Sequence, residues 1–137
     1  MLHRDYLVRM FSQLAAAIRE TILRSRNNED PETLADLLED SLSNATEIDG
    51  SLLLQLAPES MAAMLQFSGT DPRLVAHVAR VLLLEARYLD EAGHTTRAEL
   101  RRSQAQSLSD SFDLGLDESC LDEKALEEFF ESHQAEM

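Results

Sequence analysis

The single cysteine is the first candidate for covalent chemistry in this chain of 137 residues. Cys120 has no partner at the C-x-x-C spacing, so the chain can form neither a redox dithiol nor an internal disulfide. The acids next to it in sequence are Asp117, Glu118, Asp122 and Glu123. Because negative charge close to a thiol opposes formation of the thiolate, the sequence does not predict a cysteine nucleophile.

The histidines are the next candidates, as metal ligands or proton carriers, and they are scattered: His3, His77, His94 and His133. No pair of them has the H-E-x-x-H spacing of a zinc site. Residues 113–117 begin like an EF-hand loop, but Gly115 stands at a ligand position and Lys124 stands where the bidentate glutamate belongs. Phosphate-binding and nucleophile-elbow motifs are absent as well. The sequence therefore predicts no metal, no cofactor and no catalytic site.

Charge is the strongest surface feature, since 26 acids against 12 bases give a formal net charge of −14. This excess makes nucleic acid and anionic membranes unfavourable partners. The acids are concentrated: residues 27–60 hold nine acids and no base, and residues 110–137 hold ten acids and one base. Five arginines lie in residues 1–26 and six in 71–102. The segregation predicts acidic helices that pair with arginine-bearing ones, contact a basic partner or face solvent.

Proline and glycine mark the ends of the elements that must position these charges. Pro suits the first helical turn, where its missing N–H has no partner, so helices are expected to begin near Pro31, Pro58 and Pro72. Glycines follow apolar segments and predict helix ends at Gly50, Gly69, Gly93 and Gly115.

Apolar residues recur at steps of three and four along the chain, and no segment alternates as a strand does. The sequence predicts one all-α domain over residues 1–137, with about six helices arranged as antiparallel hairpins. The predicted helices are approximately 5–26, 31–49, 58–67, 72–92, 96–113 and 118–134. The helix over 72–92 is apolar around most of its circumference and is expected to be central. The conformation of residues 52–54, either helical or extended, is left open.

The last predicted helix carries an apolar stripe that must be covered: Leu121, Ala125, Leu126, Phe129 and Phe130. The stripe predicts either a cap that closes the monomer, which we favour, or a dimer interface. Glu123, Glu127 and Glu131 repeat at a spacing of four, where like charges destabilise a helix. A basic neighbour would offset this repulsion. The nearest candidates in sequence are Arg97, Arg101 and Arg102, and the alternatives are a basic partner or solvent.

Small residues at the hairpin between the helices 72–92 and 96–113 resemble a tetratricopeptide unit: Ala86, Leu89, Gly93, Ala98 and Ala105. In that family small residues let two antiparallel helices pack closely, and successive units stack with a right-handed twist. Arg102 stands where the family usually has an aromatic residue. The resemblance implies tetratricopeptide-like stacking, and an ordinary helical hairpin is the alternative.

The N-terminal pattern Asp5-Tyr6-Leu7-x-Arg9-x-x-x-Gln13 resembles the start of a family of small bacterial proteins with no assigned function. That resemblance implies a bacterial, cytoplasmic, all-helical protein with tetratricopeptide-like helix pairs. Asp5, Arg9 and Gln13 follow each other at steps of four, so they share one helical face. They form either a solvated Asp5–Arg9 pair or a polar ridge that docks on a partner.

These observations favour a non-enzymatic helical module that binds a protein or peptide. The groove between hairpins would present Arg80 and Arg87, which are seven residues apart on one helical face, with Tyr88 as a neighbour. The alternative is a homo-oligomeric structural protein, such as a homodimer, that associates through an apolar helix face. A small enzyme or metal-binding protein is the least supported. The lone cysteine and the lack of a signal peptide or an apolar run of ~20 residues favour the cytoplasm and no membrane.

Overall fold

The computed structural model describes the backbone of residues 2–45 and 50–136 and the side chains of residues 5–44 and 52–131. This part of the chain is helical throughout and contains no strand, which confirms the all-α class. In order, the elements are α1 (Leu2–Arg26), α2 (Pro31–Ala45), α3 (Gly50–Gln55), α4 (Pro58–Phe67), α5 (Pro72–Glu91), α6 (Thr95–Ser111), a 3-10 turn (Glu118–Leu121) and α7 (Glu123–Glu136).

Local chemistry explains most of the helix ends. The Asp71 side chain accepts a hydrogen bond of 2.8 Å from the backbone N–H of Arg73, which caps α5 at its N-terminus. Gly93 closes α5 with φ of +86°, a left-handed conformation that most residues avoid. The prediction for Gly50 is wrong, because this residue begins α3 instead of ending the preceding helix.

Two predicted helices differ from the observed ones. α2 is described as far as Ala45, and residues 46–49 of the predicted helix lie outside the described residues. The predicted helix over 118–134 is divided: a 3-10 turn, capped by the side chain of Asp117, ends before Asp122, whose ψ of 150° is extended. α7 starts only after this break. The open segment 52–54 belongs to α3 and is helical.

α5 is the central helix, as predicted, because 13 of its 20 residues are buried. It contacts α1, α2, α6 and the 3-10 turn, and its contact with α6 is the most extensive between any two helices described. A short turn at residues 92–94 joins these two helices into a hairpin. The small residues predicted for its interface are buried: Ala86, Leu89, Ala98 and Ala105. Right-handed tetratricopeptide-like stacking stays a prediction.

The C-terminal part of the chain folds back over α5 and α1. The 3-10 turn packs on α5, while α7 packs on α1 and on the 3-10 turn. The last predicted helix therefore has two neighbours in place of one, because α6 contacts the 3-10 turn and α1 contacts α7. Arg102 of α6 donates from Nε to Glu118 at 2.7 Å, at the 3-10 turn. The main helical neighbour of α7 itself is α1.

Candidate peptide-binding groove

A groove between α1 and α5 holds residues 114–131, which we call the C-terminal segment. Arg80 and Arg87 share the face of α5 that the segment covers, since both lie close enough to the Cys120 thiol to lower its pKa through their charge. α1 supplies the opposite wall with Arg19, Ile22 and Arg26. The role of Arg80 and Arg87 as partner-binding residues stays a prediction.

Two adjacent phenylalanines of α7 anchor the segment in the groove. The Phe129 ring is 6% exposed, with the Arg80 guanidinium 4.5 Å from its centroid. Phe130 lies half-buried under the guanidinium of Arg19, also at 4.5 Å. Each ring therefore combines burial of apolar surface with a cation–π contact, which adds about 0.5–1 kcal/mol at exposed sites.

His77 forms the floor beneath Phe129. Its ring meets Phe129 edge-on at 5.0 Å between centroids and stacks on Phe11 of α1 at 4.8 Å. Its Nδ1 lies 2.7 Å from the backbone carbonyl of Arg73, which fixes the ring plane. His77 is thus a buried packing residue, 5% exposed, within the groove.

Cavities remain on both sides of the C-terminal segment. A cleft of about 470 Å³ lies at the N-terminal half of α5 and is lined by Arg73, Arg80 and Glu128, among others. Two smaller cavities, of about 290 and 240 Å³, both touch Ile22, Arg26 and Leu126. α7 therefore rests on its aromatic anchors without filling the groove around them.

The charges of α1 and α7 that border the groove are complementary in sign. Arg19 and Arg26 of α1 line the same cavity as Glu123 and Glu127 of α7. Within the described residues, no ion pair of 4.0 Å or less joins these arginines to those glutamates. The charges thus attract across a gap that water can enter.

Cys120 belongs to the 3-10 turn that packs on α5 and is 8% exposed. Burial raises the pKa of its thiol, and the charges of Asp117 and Asp122 raise it further against the opposing effect of Arg80 and Arg87. The thiol is therefore protonated near neutral pH and packs as a small apolar group.

The remaining predicted site residues differ in their relation to the groove. Tyr88 lines the cavity of about 240 Å³ beside α7. The three polar residues of α1 line none of the three cavities described above. Asp5, Arg9 and Gln13 are exposed along α1, and the ion pairs of the described residues do not include Asp5 with Arg9. Tyr88 is 2% exposed. Burial raises the pKa of its phenol, while a hydrogen bond with Thr21 lowers it. The Tyr88 ring is therefore part of the core, between α1 and α5.

A second cluster of charged residues, which sequence reasoning missed, lies on the opposite side of α5. Arg101 is at its centre: Nε donates to Glu85 at 2.8 Å, Nη2 to Glu39 at 3.3 Å and Nη1 to the Leu54 carbonyl at 2.9 Å. Gln104 accepts from Nη1 at 3.1 Å and donates to the same carbonyl at 3.0 Å. The Arg101 cluster joins α2, α3, α5 and α6.

The two carboxyl groups of the Arg101 cluster share a proton. Burial and a hydrogen bond with Glu39 together raise the pKa of Glu85 to about 9, against the opposing charge of Arg101. Burial also opposes ionisation of Glu39, but hydrogen bonds from Glu85 and Arg101 outweigh it and lower the pKa of this group. Glu85 Oε1 is buried and meets no donor from another described residue, which fits a protonated oxygen that donates to Glu39. Glu85 is thus neutral at pH 7 and Glu39 is ionised.

The position of Glu85 was the available signal for this cluster. It is the sole acid of the apolar run 81–89, and a lone carboxyl on a fully buried helix must have a partner. None of the three cavities described above is lined by Glu85 or Glu39. The cluster therefore joins four helices and lies outside these three cavities.

Among the described side chains, those of residues 5–44 and 52–131, there is no group of three potential ligands from His, Cys, Asp and Glu placed to hold a metal ion. Across residues 2–45 and 50–136, no helix combines the length and the apolar character needed to cross a membrane. Comparison of the chain with models of known families, with curated proteins and with solved structures yields no significant match.

Proposed function

We propose that this protein is a non-enzymatic helical module that binds a protein or peptide in the groove between α1 and α5. The observation that carries the proposal is the way this groove already holds an amphipathic helix, α7, by Phe129 and Phe130 under Arg80 and Arg19. An aromatic anchor in an apolar groove with a charged rim is the usual chemistry of helix-in-groove recognition.

Homo-oligomerisation through an apolar helix face is the alternative, and the observations favour it less. The apolar stripe of α7 packs on α1 of the same chain, with Phe129 buried and Leu126 and Phe130 half-buried. This packing supports the cap over a dimer interface. A tetratricopeptide-like stack, the bacterial family suggested by the N-terminal pattern and a cytoplasmic location are kept as parts of the proposal, as is the ridge of Asp5, Arg9 and Gln13 as a second contact.

Selection from a displayed library of helical peptides tests the proposal directly. The immobilised chain is expected to enrich peptides that carry aromatic residues and acids. Their affinity should fall by roughly fivefold in Arg26→Gln, because one charge on the groove rim contributes about 1 kcal/mol to binding.

Arg24→Gln is the matched control for that experiment. Arg24 lies on the same helix, pairs with Glu20 at 2.9 Å and Glu29 at 3.5 Å, and lines none of the cavities around α7. Peptides selected on the wild-type chain should bind this variant unchanged. Failure to enrich any peptide, or equal loss in both variants, would refute recognition in the groove.

A further inference from the structure

α7 is held in the groove at few points. Its ring contacts to the rest of the protein come from Phe129 on His77 and Arg80 and from Phe130 on Arg19. The remaining apolar residues of its stripe, Ala125 and Leu126, are only half-buried and border cavities. A helix with few buried contacts opens locally at a lower free energy than the core does.

The charges of α7 add little to its attachment. Glu123, Glu127 and Glu131 repel one another along the helix at a spacing of four residues. Facing them, Arg19, Arg26 and Arg87 form no ion pair with any described residue. The groove therefore offers positive charge that the described side chains of α7, up to Glu131, leave unpaired.

We infer that α7 is a displaceable internal occupant of the groove, and that the external partner is an acidic amphipathic helix with two adjacent aromatic residues. This inference rests on the proposed function and specifies its partner and its regulation. Such a helix repeats the anchors of α7. It binds more favourably where its acids reach Arg19, Arg26 and Arg87, the groups that α7 leaves unpaired. The groove is thus closed in the absence of partner and opens only when α7 leaves.

Competition with α7 determines the apparent affinity of the groove for an external helix. An internal helix acts at the effective concentration of a tethered ligand, about millimolar for a short linker. The apparent affinity for an external helix is therefore the intrinsic affinity multiplied by the fraction of chains whose groove is open. Loosening α7 without altering the groove walls must therefore tighten binding of an external helix. A groove that simply binds helices at a separate place would show no such effect.

The experiment titrates the full-length chain with a fluorescein-labelled peptide of residues 118–137, read by anisotropy. Phe130→Ala removes one anchor of α7 and should bind the peptide roughly tenfold more tightly than the wild type. Phe67→Ala is the matched control, because Phe67 on α4 is 95% exposed and far from any described contact of α7. This variant should bind like the wild type.

The outcomes separate the two proposals. Equal affinity of the wild type and Phe130→Ala overturns α7 as the internal competitor, while the groove as a binding site stands. No binding by either chain overturns the acidic helix as the partner class, and the displayed-library selection then decides whether the groove binds any peptide.

The remaining candidate occupant of the groove is the α7 helix of a second copy of this chain. Light scattering over the same concentration range tests for it. The wild type and Phe130→Ala are both expected to be monomers. A concentration-dependent dimer of the wild type that Phe130→Ala dissociates would show that copies exchange α7, which overturns an external partner.

Discussion

Two faces of α5 bring arginines and acids together, one against α2 and α6 and the other against α1 and α7. On the first face, Arg101 has 8% of its side chain exposed and donates to two carboxyl groups and a backbone carbonyl. On the second, Arg19 and Arg26 face glutamates across a cavity of about 290 Å³. The same residue types therefore form a buried, hydrogen-bonded cluster on one face of α5. On the other face they lie on two sides of a cavity without forming ion pairs.

The difference indicates which helix contacts in this fold are permanent and which can open. In the Arg101 cluster each helix supplies a partner that another helix needs, so removing one group leaves buried charge unpaired. In the groove, Arg19 and Arg26 form no ion pair with the described residues of α7, so its departure breaks no ion pair of these two arginines. The first arrangement favours permanent assembly of α2, α3, α5 and α6, and the second favours exchange of one helix for another.

Arg101→Met should have the largest effect, because the variant leaves Glu39, Glu85 and the Leu54 carbonyl without their shared donor. Leaving a buried hydrogen-bonding group unsatisfied costs about 1–3 kcal/mol, and Arg101 serves several such groups. We therefore expect a loss of about 3–5 kcal/mol in the free energy of unfolding, measured with urea. Arg97→Met is the matched control. Arg97 also donates to Glu39, at 2.9 Å, but is 43% exposed, so its loss should be about 0–1 kcal/mol.

Similar losses in the two variants would contradict the contrast between the buried cluster and exposed pairs. The Arg101→Met protein should also retain its helical circular dichroism in the absence of denaturant, since the loss is smaller than the total stability of many domains.

Glu85→Gln should change the pH dependence of stability. The pKa of Glu85 is about 9 in the folded chain against 4.5 for the unperturbed group, so the unfolded chain releases this proton first as pH rises. Stability contributed by the proton is therefore complete below pH 4.5 and is lost between about 4.5 and 9, by at most about 1.4 kcal/mol per pH unit. Glutamine has no proton to lose, so the variant should show a flatter profile in that window.

Urea titrations at pH 5, 6, 7 and 8 measure this slope. Glu39 does not contribute to this slope in the window measured. Its pKa is lowered in the folded chain, so the stability that its ionised form contributes is lost only as pH falls below the unfolded value of 4.5. Glu99→Gln, an exposed change on α6, should keep the wild-type slope. An unchanged slope in Glu85→Gln would mean that Glu85 is ionised in the folded protein.

Apolar periodicity, with proline and glycine at the ends, predicts the all-α class, the central position of α5 and its hairpin with α6. It does not predict which surface covers a given apolar stripe. The acidic last helix was assigned arginines of α6 because they are nearest in sequence. In the structure Arg97 and Arg101 are engaged with Glu39, and Arg101 also with Glu85. α7 lies instead on α1. Tertiary packing determines this contact, and the apolar periodicity of a single helix carries no information about it.

The candidate site is likewise predictable in part. The spacing of Arg80 and Arg87 predicts a common face, and both charges act on the Cys120 thiol. The orientation of Tyr88, in contrast, depends on a contact with Thr21 of α1. The break at Asp122 was missed because the Asp117 side chain closes a 3-10 turn by a local bond of 2.9 Å to the N–H of Ser119. Apolar periodicity is read over a window longer than this turn, so it does not detect one local hydrogen bond.

Arg19→Met should have the smallest effect and the most local one. The variant keeps an apolar side chain beside Phe130 but removes the guanidinium 4.5 Å above its ring, a contact worth about 0.5–1 kcal/mol at an exposed site. Hydrogen exchange read by mass spectrometry should therefore show α7 amides exchanging roughly threefold faster, while α5 and α6 keep wild-type rates, because α7 opens without the rest of the fold. Arg24→Met, on the same helix but outside the groove, should leave α7 unchanged. If instead Arg19→Met accelerated exchange in α5, α6 and α7 together, α7 would belong to the same cooperative unit as the Arg101 cluster, and the contrast between the two faces of α5 would not hold.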